Sequence, residues 1–242
     1  MVEKTFDKHI SAEFNRELND LRSRVLAMGG LVEEQIQNAV ASFRNRDSEA
    51  AVEVIRRDVE VNAMEVEIDE AVTHILARRQ PTAVDLRMLI AIVKIITDLE
   101  RIGDEAEKVA KMAVDLTSRG AFGNGKSPSG IDHLGVLVSR LLNKALDSFA
   151  RLNVPDALNT ACMDRDVDKE YEGLLRELIT LMMEDPRKIG PALDVIWAAR
   201  ALERIGDHAK NICEYVIYLV EGRDVRHLTV EEIEAELKNG NH

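Results

Sequence analysis

LERIGD, at residues 99–104, is repeated letter for letter at residues 202–207, an offset of 103 positions (202 minus 99). Other residues match at a second offset of 106 positions, for example Ala39 with Ala145 (145 minus 39). A deletion of about three residues in the second half reconciles the two offsets, as loop variation between repeats commonly does. The sequence is therefore predicted to be an internal duplication.

The apolar residues of both halves follow a helical period. From Phe14 to Ile36 they recur at steps of three and four, which is the stripe of a long amphipathic helix. Helix starts are indicated at Asp47, at Thr82 with Asp85 in a capping-box pattern, and at Asp185 with Pro186. The predicted fold class is all-α, with six long helices arranged as two tandem, sequence-related three-helix bundles. Three aromatic residues are predicted to pack in the cores: Phe43, Phe149 and Trp197.

Glycine and proline content marks one boundary between the halves. Residues 117–130 read TSRGAFGNGKSPSG, the most convincing linker composition in the chain. The predicted organisation is a first bundle over 1–118, a Gly-rich linker over 119–130, a second bundle over 131–222, and a tail over 223–242 with a short helix near Thr229.

Composition excludes several classes of function. The net charge of -12 opposes nucleic-acid binding, and the two cysteines form no CxxC pattern that would suggest a disulfide framework or a zinc site. The N-terminal residues lack the apolar core of a secretory signal. The longest apolar stretch, residues 88–97, is too short to span a bilayer and contains Lys94. We expect a cytoplasmic protein that reaches a membrane only through a partner.

Each copy of the repeated string contains two carboxylates four residues apart, Glu100 with Asp104 and Glu203 with Asp207. This spacing places both side chains on one face of a helix, where like charges repel unless a cation relieves them. Oxygen ligands suit hard ions such as Fe, Mn, Mg or Ca, whereas Zn favours His and Cys. The four carboxylates are therefore candidate metal ligands.

The glycine inside each string, Gly103 or Gly206, costs about 1 kcal/mol relative to alanine in a helix. Its presence in both copies predicts the close approach of another helix or of a bound group. The helix of the first copy has an apolar stripe made of Leu99, Ile102, Ala106 and Val109. The second copy repeats it with Leu202, Ile205, Ala209 and Ile212. Because Glu100 and Asp104 lie nearly opposite this stripe, the acidic pairs are expected to be accessible from outside the core.

Other candidate ligands are weaker. An acidic zone on the second helices and one histidine after the second string could supply further ligands, or simply face solvent or form ion pairs: Asp58, Asp164, Asp166, Asp168 and His208. The acidic pairs themselves have an alternative reading as a solvated helix face, in which Arg101 pairs with Asp104 or Glu105 and Arg204 pairs with Asp207.

Two three-helix halves, each with LERIGD in its third helix, resemble the PhoU family. The resemblance implies a negative regulator of the phosphate-starvation regulon that modulates phosphate uptake. It further implies contacts with the ATPase of a phosphate ABC transporter and with a phosphate sensor histidine kinase, a homodimer, and metal ions, iron and zinc among them, at the acidic strings. No catalysis is needed for such a role.

Two other classes of protein compete with this interpretation. A di-iron carboxylate oxidase would need Glu-x-x-His pairs, and none of the six histidines has Glu three residues before it. A metal-independent structural adaptor or scaffold fits composition and periodicity equally well. Only the duplicated acidic string separates that scaffold from a regulator.

Overall fold

The computed structural model describes residues 3–119, 130–226, 228 and 232, and side chains from Ala12 onward. The described elements are α1 (Glu3–Asn45), α2 (Ser48–Arg79), α3 (Ala83–Ser118), α4 (Gly130–Arg151), α5 (Val154–Ala161), α6 (Asp164–Glu184), a 3-10 turn (Pro186–Lys188) and α7 (Ile189–Glu221). Most of the predicted linker, residues 120–129, and the predicted tail helix near Thr229 lie outside the described residues.

The predicted all-α fold with six long helices is confirmed, and no strand occurs in the described ranges. The structure adds one break that the sequence did not predict. The second helix of the second half is divided into α5 and α6 around Cys162, whose backbone N–H points to the carbonyls of Leu158 and Thr160 in a tightened last turn. Neither glycine nor proline lies at this break, so the usual breaker signals were missing.

Side-chain caps explain where several helices begin. Asp47 accepts a hydrogen bond from the Ala50 N–H at 2.9 Å, and Asp185 accepts one from the Arg187 N–H at 3.2 Å. Thr82 precedes α3 as predicted, but its side chain makes no capping bond, so the capping box expected there is wrong. At the other end of the chain, Gly222 adopts φ 72°, a left-handed conformation that ends α7.

Two of the three aromatic core predictions are confirmed. Phe43 and Phe149 are completely buried, as are the apolar stripe residues Leu99 and Ile102. Trp197 is 61% exposed, so its predicted core position is wrong. The neighbouring alanines 198 and 199 make the buried contacts of that turn of α7, and the indole lies on the solvent side.

The two bundles pack against each other through their third helices. α3 contacts α1, α2 and α7, while α7 contacts α4, α5 and α6 as well as α3. The Lys94 ammonium lies 5.4 Å from the ring centre of Tyr215, whereas Arg204, earlier in α7, pairs with Glu105, later in α3. Residue numbers therefore rise along α3 as they fall along α7, and the two helices are antiparallel. In the described part of the chain, no helix is long and apolar enough to cross a membrane.

A second contact between the halves is made by α1 and α4 through two glycines. A methyl group on Gly29 would lie 2.6 Å from Leu146 Cδ1, and one on Gly135 would lie 2.8 Å from Val40 Cγ1. The offset of 106 that relates Ala39 to Ala145 also relates Gly29 to Gly135 and Val40 to Leu146. At this crossing, a glycine on each helix therefore accommodates a branched side chain of the other helix.

This packing predicts opposite effects for two Gly-to-Ala substitutions. Gly135→Ala should destabilise the protein by about 1–3 kcal/mol, because both γ carbons of the β-branched Val40 lie 2.8 Å from the new methyl group. Gly30→Ala, a helical control with nothing within 4 Å, should stabilise by about 0.5–1 kcal/mol. Urea denaturation checks both values. A Gly135→Ala variant as stable as Gly30→Ala would contradict the close contact between Gly135 and Val40.

Candidate functional site

The glycine of each repeated string lies where the second helix of its repeat approaches the third. A Cβ atom on Gly103 would lie 3.2 Å from Asp58 Oδ1, and one on Gly206 would lie 3.2 Å from Asp164 Oδ1. A larger residue would push these carboxylates away. The two acidic pairs therefore face a carboxylate from the neighbouring helix, and the site in each repeat is the groove between these two helices.

The burial of the acidic pairs differs from the expectation of outward-facing side chains. Asp207 is exposed, and Glu100 and Asp104 are half-buried. Glu203 is only 8% exposed, so the prediction that it points away from the core is wrong. The helical wheel assumed one buried face, but α3 and α7 are each covered on several sides.

In the first repeat the carboxylates raise one another's pKa values. The pKa of Asp104 is raised by burial and then by the Asp58 carboxylate, with Lys108 opposing. The pKa of Glu100 is raised by burial, then by Asp104, Glu65 and Asp58. Negative charge thus accumulates at this groove.

In the second repeat the same crowding is partly offset by cations. Burial and then Asp207 raise the pKa of Glu203, and Arg200 opposes them. Burial also raises the pKa of Asp164, whose Oδ2 accepts a hydrogen bond from Lys210 Nζ at 3.2 Å. The two grooves therefore share a backbone arrangement but differ in electrostatics.

Three buried oxygen atoms at these grooves accept no hydrogen bond from any described residue: Gln35 Oε1, Asp164 Oδ1 and Glu203 Oε2. A buried acceptor without a donor is costly, by about 1–3 kcal/mol. Such atoms are rare in folded proteins, and each is the place for a bound water molecule or another ligand.

The arginines of the repeated strings do not pair with the motif carboxylates. Arg101 lies 3.8 Å from Asp98, and Arg204 lies 3.1 Å from the buried Glu105 on α3. The self-paired helix face considered from the sequence is therefore not the observed arrangement. Arg204 links the two repeats instead.

His208 also contacts the other repeat. Its Nδ1 lies 2.7 Å from Oδ1 of the buried Asp98, which also accepts a hydrogen bond from Asn211 Nδ2 at 3.3 Å. His208, one of the weaker predicted metal ligands, thus faces α3 and has a carboxylate partner there.

Of the remaining weaker candidates, Asp58 and Asp164 lie directly against the string glycines. Asp168 is close enough to raise the pKa of both Glu203 and Asp164. Asp166 is exposed beside Lys169, 3.5 Å away. Because Glu65 on α2 also raises the pKa of Glu100, the second helices supply two carboxylates to each groove.

Sequence reasoning missed several residues that shape the grooves. In the first repeat these are Gln35, Asn62 and Glu65, and in the second they are Arg200 and Lys210. Only Gln35 carried a usable signal, because it is a polar residue three positions after Val32 in the apolar stripe of α1. Such a residue in a stripe indicates a buried polar contact.

The donor types at the grooves suit a hard metal ion, since carboxylate and amide oxygens predominate. However, no group of three or more His, Cys, Asp or Glu side chains in the described ranges is arranged to hold a metal ion. The chemistry of the donors therefore fits, while the protein carboxylates alone do not complete a coordination shell.

Glu214 lies one turn after Lys210 on α7 and has a strongly raised pKa. Burial raises the pKa of Glu214 from 4.5 to about 7, with Lys210 and Arg226 opposing and with Asp224 and Asp98 adding to the rise. The folded protein therefore holds this proton to higher pH than the unfolded chain does.

This shift predicts a pH-dependent stability. The free energy of unfolding should fall as pH rises from about 4.5 to about 7, because the unfolded chain releases the Glu214 proton first. Glu214→Gln stays neutral, so it should melt a few degrees higher than wild type at pH 8 and lose most of that advantage at pH 4.5. Calorimetry at both values is the measurement. An equal difference at the two pH values would exclude the raised pKa.

Comparison with known proteins gives consistent matches along the chain. A family model described as the PhoU domain matches residues 25–113 and 131–216, one match in each half. The phosphate-specific transport system accessory protein PhoU homolog of Pseudomonas aeruginosa is 52% identical over 96% of this chain and 95% of that protein. The PhoU protein of Escherichia coli is 44% identical over 94% of this chain and 93% of its own length.

Solved structures agree with these sequence matches. The crystal structure of PhoU from P. aeruginosa has a TM-score of 0.82, covering 87% of this chain and 100% of that one. The phosphate transport system regulatory protein PhoU from Streptococcus pneumoniae has a TM-score of 0.81 at 29% identity, covering 88% and 99%.

Proposed function

This chain belongs to the PhoU family, and on that premise we propose that it is an accessory protein of phosphate transport that represses the phosphate-starvation regulon. The observation that carries the proposal is the match along almost the whole length of relatives named as phosphate transport accessory proteins. The names of these relatives support a role in the phosphate transport system. Repression is the additional step, implied by the sequence resemblance.

The proposed mechanism is protein contact without catalysis. Two fused helical bundles present fixed surfaces, which suits binding to the ATPase of a phosphate ABC transporter and to a phosphate sensor histidine kinase. Contact with both would place the protein in the cytoplasm, next to the membrane. The status of the transporter would then reach the kinase through a change in binding.

The alternative is a structural adaptor that needs no acidic site. The unsatisfied buried oxygens and the charge crowding at the grooves favour the regulatory reading, because a scaffold gains nothing from them. Stability is lost at such a site, and proteins commonly accept that loss where function needs it.

A reporter experiment separates these functions. Deleting the gene should raise alkaline phosphatase reporter output several-fold in phosphate-rich medium, and the wild-type gene should restore low output. A variant with four amide substitutions, Glu100→Gln, Asp104→Asn, Glu203→Gln and Asp207→Asn, should fail to restore it.

The control variant makes the same charge change on exposed helix faces: Glu67→Gln, Glu70→Gln, Glu172→Gln and Glu177→Gln. It should repress as wild type does. Unchanged output on deletion would contradict the regulatory proposal. Full repression by the site variant would favour the adaptor.

The proposed assembly is a homodimer, and α2 offers a face for it. Val52, Val59 and Val66 are each more than half exposed and recur every seven residues, the spacing by which helices pair.

Val59→Glu should therefore convert a dimer into a monomer in sedimentation velocity experiments, because it buries a charge in the proposed interface. Val136→Glu, at a similarly exposed valine on α4, is the matched control and should leave the dimer intact. A dimer that survives Val59→Glu would place the interface elsewhere.

Metal binding at the acidic grooves is also proposed. The oxygen donors favour Fe, Mn or Mg over Zn, and the unsatisfied acceptors are the supporting observation. When bound, such an ion would supply positive charge that relieves the crowded carboxylates. Glu100 with Asp104, and Glu203 with Asp207, are the candidate ligands, and the ion would need further ligands from outside the described side chains, since no three of them are arranged to hold it.

A further inference from the structure

We propose that the C-terminal segment, residues 229–242, folds back onto the seam between α3 and α7 and places its glutamates beside Arg101 and Arg204. The seam is the line along which the third helices of the two repeats meet, on the side where Lys94 contacts Tyr215. This contact lies within one chain, and it depends neither on the proposed regulation nor on metal binding.

Four cations recur every seven residues along α3, in a chain whose net charge is -12: Arg87, Lys94, Arg101 and Lys108. Seven residues are close to two helical turns, so all four lie along one side of α3. Arg87 Nε donates a hydrogen bond to the Leu219 carbonyl at 3.4 Å. The Lys94 ammonium lies 5.4 Å from the ring centre of Tyr215. Because both contacts are with α7, the row of cations follows the seam.

Two buried carboxylates lie beneath the second half of this row. Arg101 is 56% exposed and lies 3.8 Å from Asp98. Lys108 and Arg204 are each about half exposed and share Glu105, at 3.0 Å and 3.1 Å. Three exposed cations therefore face solvent above two carboxylates that solvent hardly reaches. An acidic segment is the complementary partner for such a surface.

After α7 ends, the chain already follows the first two cations of the row. Arg87 Cζ lies 3.3 Å from the Cβ position of Gly222. Hydrogen bonds from Arg226 lower the pKa of Asp224 to about 2, and the charge of Lys94 contributes to that lowering. The next cation along α3 is about 10 Å beyond Lys94, at a rise of about 1.5 Å per residue.

The segment is long enough to reach that next cation. Val225 is 1% exposed and Leu228 packs against the core, so the chain is held to the two bundles as far as residue 228. A helix over residues 229–238 is about 15 Å long, which exceeds the distance from Lys94 to Arg101. The glutamates at 231, 232, 234 and 236 are the first acidic residues after Asp224.

Residues 229–238 read TVEEIEAELK, the pattern of a short amphipathic helix. Thr229 and Glu232 have the spacing of a capping box. Three apolar residues share one face at the helical period: Val230, Ile233 and Leu237. Glu234 and Glu236 flank this face on its two sides. Glu232 lies opposite the face and is helical and exposed, which agrees with an apolar face turned toward the protein.

The flanking charges of this helix match the two walls of the seam. Arg101 belongs to α3 and Arg204 to α7, so one arginine is available on each side of a helix that lies along the seam. The apolar face covers the aliphatic stems of the two arginines while their guanidinium groups meet Glu234 and Glu236. Because each repeat supplies one arginine, the docked segment joins the two repeats.

Hydrogen–deuterium exchange of the full-length chain, measured by mass spectrometry, tests this contact. An isolated helix as short as residues 229–238 is marginal in water, so slow exchange there reports docking and not local structure. We expect the amides of 230–238 to exchange at least about tenfold more slowly than in a synthetic peptide of the same sequence. Added salt should reduce this protection, because it screens contacts between exposed charges.

A pair of seam variants locates the contact. Arg101→Gln with Arg204→Gln should return the amides of 230–238 to the rate of the peptide. Arg151→Gln with Arg176→Gln makes the same change at exposed arginines of the second repeat and should keep the protection. The circular dichroism spectrum of each variant is the folding control.

A pair of tail variants leaves α3 and α7 unchanged, so their result does not depend on the folding of an altered seam. Glu234→Gln with Glu236→Gln removes the flanking charges and should abolish the protection. Glu231→Gln with Glu232→Gln changes the far side of the same helix and should preserve it. Each variant is compared with a peptide of its own sequence.

The proposal is overturned if the wild-type segment exchanges at the rate of the peptide. Full protection in the Arg101→Gln with Arg204→Gln variant would also overturn it, because the segment would then dock elsewhere. Protection that disappears on dilution would assign the seam to the segment of a second copy, and so would contradict a contact within one chain. The reporter experiment is independent of all these outcomes and tests the proposed regulation separately.

Discussion

The close contact between the second and third helix of each repeat, made possible by the missing side chains of Gly103 and Gly206, determines the rest of the site. It brings the carboxylates of Asp58 and Asp164 against helices that already carry an acidic pair. Burial in that contact is the largest cause of the raised pKa values of Glu100 and Glu203, ahead of the neighbouring charges. A side chain at either glycine would crowd the neighbouring carboxylate, whose oxygen lies 3.2 Å from the Cβ position, and would force it to shift.

The long helices and their pairing into two repeats could be predicted because both are encoded by periodicity and by identity between the halves. The position of the acidic groups could be predicted only along the helix. Glu203 is buried because α7 is enclosed by several helices, and a wheel drawn for one helix contains no information about its neighbours. The indole of Trp197 was misplaced for a related reason, since the adjacent alanines fill the contact that an aromatic residue was expected to make.

Polar contacts between the repeats could not be read from the sequence, because they join residues about a hundred positions apart. Asp98 with His208, and Glu105 with Arg204, connect α3 to α7 and are contacts of buried carboxylates between the two halves. They also remove Arg204 and His208 from the acidic grooves. The acidic pairs therefore lie in a groove within each repeat. The charged residues next to them on α3 and α7 instead join the two repeats.

Duplication preserved the backbone of the grooves while their charge diverged, and the central claim of this account is that the crowded carboxylates of both grooves serve function and not folding. Urea denaturation of the variant Glu100→Gln, Asp104→Asn, Glu203→Gln and Asp207→Asn is the most direct measurement of that claim. The account predicts a variant at least as stable as the wild type, because neutral amides relieve the crowding of like charges. A large loss of stability would contradict it, because the carboxylates would then be needed for the fold.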